Sequence, residues 1–203
     1  MPELNKTPLG PQDYDRQLRM AEKPLSESPW LKLYCHALVM VSTVLDGYTK
    51  EHRTICDLGC GTGRFAKMLM QCGYTEYMGI DFSPVRVQMA EKYCAGMGGW
   101  FMDEDVMNPV IQNSFQQRRL FVALELLEHI SDDLGLLRAL PSGAHVVVSV
   151  PNFEGRRSGH VRWFEKLSDV LLRYGNIIDI VHSQMVPAAK GRNCFYLFCG
   201  VCL

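Results

Sequence analysis

The chain has 203 residues, a formal net charge of −1, 47% hydrophobic residues and eight cysteines. That length fits one domain with a real core, and the near-balanced charge excludes the broad basic footprint of a nucleic-acid-binding domain. Neither a signal core nor a membrane-length apolar run is visible, and cysteines inside apolar segments, as at Cys56 and Cys94, point to a reducing, cytoplasmic setting.

The first 30 residues are polar and proline-containing, with Arg16, Arg19 and Lys23 mixed among acids. From Trp30 to Tyr48 an apolar pattern, interrupted by Lys32, His36 and Asp46, reads as a helix packed ahead of the first strand. Residues 1–49 are therefore expected to form a helical extension or lid, and residues 50–203 the core.

The core opens on Thr54-Ile55-Cys56-Asp57-Leu58-Gly59-Cys60-Gly61-Thr62-Gly63-Arg64-Phe65, a buried strand, a turn with little side-chain bulk and the start of a helix. Such a turn lets a ligand approach the backbone beside the amide donors of a helix N-terminus. The dinucleotide fingerprint is G-x-G-x-x-G, but here Arg64 stands where its third glycine should fall. A second strand, Tyr77 to Asp81, ends in an acid about 20 residues beyond the turn, the place of a ribose ligand in doubly wound folds. Ser83, just before Pro84, is the better helix cap, which leaves Asp81 for a ligand. A third strand begins near Trp100 and runs into the acids Asp103, Glu104 and Asp105.

Further strands are expected at Leu120 to Glu125, His145 to Val150, Asn176 to His182 and Cys194 to Gly200, with helices over 62–71, 83–95, 132–139 and 163–174 between the strands. Strand and helix alternation predicts an α/β fold: a Rossmann-like, seven-stranded, mostly parallel sheet with helices on both faces and an antiparallel last strand.

The glycine turn with this strand order, over about residues 50–200, resembles the class I S-adenosylmethionine-dependent methyltransferases. The resemblance implies S-adenosylmethionine as cofactor, with Asp57 at its amino group, Gly59, Gly61 and Gly63 in the turn, Asp81 at the ribose with Phe82 beside it, Asp105 at the adenine amino group and Val106 against the ring. Asp103 stays an alternative to Asp105 on spacing. Glu125, closing the fourth strand, is expected to border the cofactor, and in this family the segment before the first strand often folds over the cofactor, placing Trp30 and Tyr34 near substrate. Ordinary packing of that helix on the sheet competes with the lid reading.

Glu125, Glu128 and His129 share one side of a helical turn, and His160 follows the neighbouring strand. His129 and His160 are the candidate catalytic, substrate-facing groups, with Asn152, Arg156 and Arg157 on the loop after the fifth strand as candidate substrate anchors, the two arginines for an anionic group. The E-x-x-E-H string with a distal His also resembles the metal site of small-RNA 3′-terminal 2′-O-methyltransferases, with Glu125, Glu128, His129 and His160 as ligands. The same string recurs in ubiquinone-biosynthesis-type O-methyltransferases and other small-molecule enzymes, and the chain lacks a basic surface for RNA. A metal-free site is the expectation. The function expected is methyl transfer to an oxygen or nitrogen of a small metabolite that can carry an anionic group. The alternatives are metal-assisted methylation of an RNA end and a non-catalytic module that binds S-adenosylmethionine or S-adenosylhomocysteine. Cys199-x-x-Cys202 opens no helix and has too few companion ligands for redox or zinc chemistry.

Overall fold

The computed structural model describes residues 8–15, 25–49, 53–155, 159–189 and 193–203. After a short helix α1 (Pro11–Asp15) and helix α2 (Leu31–Leu45), strands and helices alternate. They are β1 (Ile55–Leu58), α3 (Arg64–Gln71), β2 (Tyr77–Asp81), α4 (Pro84–Tyr93), β3 (Trp100–Asp103), α5 (Pro109–Asn113) and β4 (Leu120–Leu124). Then come α6 (Asp133–Arg138), β5 (His145–Pro151), α7 (Leu167–Tyr174) and the closing strands β6 (Ile178–Pro187) and β7 (Cys194–Cys202).

The strands form one seven-stranded sheet in the order β3-β2-β1-β4-β5-β7-β6. The pairs from β3 through β5 are parallel, and β7 runs antiparallel between β5 and β6. Chain order reverses between β1 and β4, so the crevice for a ligand lies above the carboxyl ends of these central strands.

β1 and β2 are buried at every position, as a sheet covered on both faces requires. One face packs Leu33, Ala37, Val41 and Leu45 of α2, with Phe65 and Leu69 of α3, on Ile55, Leu120, Val122, Val147 and Leu197. The other packs Ile111, Phe115, Leu136, Val170 and Tyr174 on Cys56, Phe121, Val146, Val148 and Phe198.

Local chemistry sets the helix starts. Ser83 Oγ accepts the Arg86 amide at 3.2 Å ahead of Pro84, so Ser83 and not Asp81 caps α4. Several bounds differ from the sequence reading: the last helix begins at Leu167 and not at 163, and β7 runs on to Cys202. β6 extends to Pro187, because a bulge between Ile180 and His182 lets it stay paired with β7. Helix α5 is an addition, although Asn108 followed by Pro109 is a helix-start signal, and Asn108 Oδ1 does accept the Val110 amide at 3.0 Å. All eight cysteines are free, Cys199 and Cys202 included, and no described helix is long and apolar enough to cross a membrane.

Candidate active site

A cavity of about 250 Å³ opens at the carboxyl ends of β1, β2 and β4. Gly59, Asp81, Phe82, Asp105, Val106, Glu125 and His129 of the expected site line it. Pro8 and Leu9, Arg86 of α4, and Met107, Leu126, Ile130 and Ser131 complete the wall. Pro8 and Leu9 carried no sequence signal; Leu9 is held against Gly159, where a Cβ would lie 2.6 Å from Leu9 Cγ.

The glycine turn is left-handed at Gly59, Gly61 and Gly63, with φ of 73°, 55° and 75°. Such angles cost an ordinary residue about 1–2 kcal/mol. The Gly61 amide donates to Asp81 Oδ2 at 2.9 Å, and Asp81 Oδ1 accepts the Ser83 amide at 3.0 Å, so one carboxylate ties the turn to the end of β2. Gly63 serves packing instead: a Cβ there would come within 2.9 Å of the Ala90 Cβ. Asp57 is buried below the turn and accepts the Tyr77 hydroxyl at 2.6 Å. Burial pushes its carboxyl up to about 7, with the Tyr77 bond opposing the shift and the charge of Asp81 adding to it. Of the two acids left open by spacing, Asp105 lines the cavity, and its Oδ1 accepts the Met107 amide at 2.8 Å.

Past β4 the backbone turns sharply. Glu125 is the one non-glycine with positive φ among the described residues, at 56°. The buried Ser149 of β5 holds it from two sides: Ser149 Oγ accepts the Glu125 amide at 2.9 Å and donates to Glu125 Oε1 at 3.2 Å. Burial, reinforced by Glu128, pushes the Glu125 carboxyl well above its usual range. Glu128 is fully buried without a hydrogen bond to either carboxyl oxygen among the described residues, and burial raises it to about 8.

His129 stands on the cavity wall, while His160 is buried behind it with ring centroids 4.9 Å apart. Burial, then the neighbouring His160, lowers His129 to about 3, so its imidazole is neutral at ordinary pH. Ligand atoms of Glu128, His129 and His160 lie within 4.8 Å of one another, and Glu125 falls outside that group. His160 Nδ1 accepts the Gly155 amide at 3.1 Å. A neutral ring bonded this way carries its proton on Nε2.

The loop bearing these groups is clamped from below. Arg162, buried, donates to the carbonyls of Leu127, Ile130 and Ser131, the last at 2.8 Å, and sits 3.5 Å from Asp133. Asp133 also receives Arg173 at 2.9 and 2.6 Å and the Tyr174 hydroxyl at 2.8 Å. Arg162 is thus a structural clasp, and Arg118 stacks over Trp100 at 4.8 Å.

Three expected substrate anchors lie elsewhere. Asn152 does not line the cavity; its Oδ1 accepts the Cys194 amide at 2.7 Å and clips β5 to β7. Trp30 and Tyr34 pack against the α2 side of the core, Tyr34 at 5.6 Å from the Phe65 ring and close enough to Asp57 and Glu125 to feel their charge. Arg156 and Arg157 fall outside the described residues.

A family model described as a methyltransferase domain matches residues 32–187. The chain is a class I methyltransferase. No curated protein matches its sequence. Among solved structures, this methyltransferase is similar to magnesium protoporphyrin IX methyltransferase from Synechocystis with bound S-adenosylhomocysteine (18% identity, TM-score 0.66, covering 95% of this chain and 94% of that one). It is similar as well to the 1,6-didemethyltoxoflavin-N1-methyltransferase of Burkholderia thailandensis (16% identity, TM-score 0.68, 98% and 93% covered). The methyltransferase domain of bacterial CtHen1-C is another (16% identity, TM-score 0.59, 82% and 97% covered). At such identities the likeness is one of fold.

The residues fit S-adenosylmethionine, the donor of this class. A Cβ on Gly61 would meet only the Arg86 guanidinium, at 3.8 Å, so the turn is open on its ligand side. Asp81, the last residue of β2, and Asp105, two residues past the end of β3, both stand on the cavity wall.

Proposed function

We propose that this methyltransferase modifies an oxygen or nitrogen of a small metabolite, with His129 as the group that meets the acceptor, in a reducing, cytoplasmic setting. The observation that carries the reading is a neutral imidazole on the wall of a cavity of about 250 Å³, next to Glu125 and backed by His160. The bound donor would supply an activated methyl group. The chain's own residues then have little covalent work: they hold the acceptor in line, and placement of this kind lowers barriers by several kcal/mol. Neutral His129 can accept the hydrogen bond of an acceptor hydroxyl or amine and so hold it in line. Apolar neighbours Leu126, Ile130 and Leu9 exclude water from that contact. Free cysteines throughout support the compartment.

A second reading, metal-assisted methylation of an RNA end, draws on the closeness of Glu128, His129 and His160. The hydrogen bonding of His160 weighs against it. A metal-binding imidazole normally donates its other N–H to an acceptor, whereas His160 Nδ1 accepts the Gly155 amide.

Calorimetric titration of metal-stripped protein with S-adenosylhomocysteine, with and without magnesium or manganese, tests both readings. Micromolar binding indifferent to metal is expected. Metal binding abolished by His160→Ala would move the RNA reading ahead. In an acceptor screen, His129→Gln is expected to lower kcat about 100-fold or more with cofactor affinity kept; a variant with full turnover would remove His129 from the chemistry.

A further inference from the structure

Asp57 is expected to hold the ammonium of the donor's amino-acid end, yet a carboxylate with a free side-chain torsion is a poor anchor for a point charge. Its surroundings supply the restraint. β1 and β2 pair in parallel with Ile55 opposite Tyr77 and Asp57 opposite Gly79. Alternate residues of a strand share a face, so Tyr77 and Asp57 project to the same side. The Tyr77 ring is fully buried and held by Phe101 at 5.7 Å between centroids, and its hydroxyl meets Asp57 Oδ2 at 2.6 Å. That distance belongs to the short, charge-assisted class of hydrogen bond.

We propose that Tyr77 is a positioning residue for the cofactor: its hydroxyl commits Asp57 Oδ2 and so presents Oδ1 to the donor's ammonium. The proposal rests on the reading of Asp57 as the ammonium acceptor. A second consequence of the same bond favours it. Asp57 is buried deeply enough to hold a proton near neutrality, and the Tyr77 hydroxyl is the group that favours its ionised form. Phenylalanine at position 77 would keep the ring, its packing on Phe101 and the strand, and would remove only the bond.

Two ligands separate positioning from general structure. S-Adenosylhomocysteine has the amino-acid end, and 5′-methylthioadenosine is the corresponding nucleoside thioether without it. In calorimetric titrations of the full chain, Tyr77→Phe is expected to weaken S-adenosylhomocysteine about tenfold, the usual scale for a hydrogen bond to a charged group. Binding of 5′-methylthioadenosine should stay within twofold, and thermal melting should confirm the fold. Equal losses for both ligands, or no loss for either, would overturn the proposal. Asp57→Asn tests the foundation separately. It should erase the preference for S-adenosylhomocysteine over 5′-methylthioadenosine. If that preference survives Asp57→Asn, the ammonium reading falls and takes the proposal with it. If Asp57→Asn erases it and Tyr77→Phe leaves it intact, only the role of Tyr77 falls.

Discussion

Gly61 and Gly63 adopt the same handedness for different reasons, and substitution separates them. At Gly61 an added methyl meets only the Arg86 guanidinium, at ordinary contact distance, so Gly61→Ala should cost only the left-handed strain, about 1–2 kcal/mol, while crowding the cofactor. At Gly63 the same change also collides with Ala90 across the α3–α4 contact, so melting should drop further. Differential scanning fluorimetry paired with S-adenosylhomocysteine titration reads both effects. Asp57 gives a pH signature. Burial holds its carboxyl near 7, and an ammonium ligand favours the ionised form, so binding must expel a proton below that pH. Affinity is expected to rise from pH 6 to 8, by up to tenfold per unit at the acid end, and to level off above. Asp81, Tyr34, Cys56 and Cys60 also feel or adjust this charge, but Asp57→Asn alone should flatten the profile.

At the scale of elements, the turn from β4 to α6, which bears Glu125, Glu128 and His129, is held by residues far along the chain. Arg162 satisfies three carbonyls of that turn and neighbours Asp133, so Arg162→Met should remove about 3–5 kcal/mol of stability. Hydrogen exchange should rise over residues 127–131 before it rises in β4. This arrangement is not legible in the sequence, where nothing around Arg162 marks its partners. The partners are carbonyls, which every residue has, so no side-chain pattern announces them. The strands and the glycine turn were legible because burial on both faces and left-handed backbone impose local composition. The Ser83 cap was legible for the same reason. Asn152, by contrast, could be placed on the right loop but not given an orientation, since its partner is the amide of Cys194 on β7.

Taken as a whole, the fold buries several carboxyl groups at one end of the sheet and pays for them in stability as the pH rises. Glu128, held near 8, and Asp57, near 7, keep protons in the folded state that the unfolded chain releases at about pH 4. Their contribution is fully present below pH 4 and is lost as the pH climbs through those folded values. His129 works the other way, costing stability below its unfolded pKa near 6.5, so between pH 6.5 and 8 the carboxyls act alone. The ligand-free protein should therefore melt lower at pH 8 than at pH 6.5. Glu128→Gln should reduce the slope; an unchanged slope would remove Glu128 as a source of it. The left-handed backbone at Glu125 bears on how such an enzyme responds to selection. A library randomised at position 125 and sorted for heat survival alone should enrich glycine and asparagine, which accept that backbone, and lose the carboxyl that lines the cavity. Sorting the same library for turnover should restore glutamate, so the two selections would pull this one position apart.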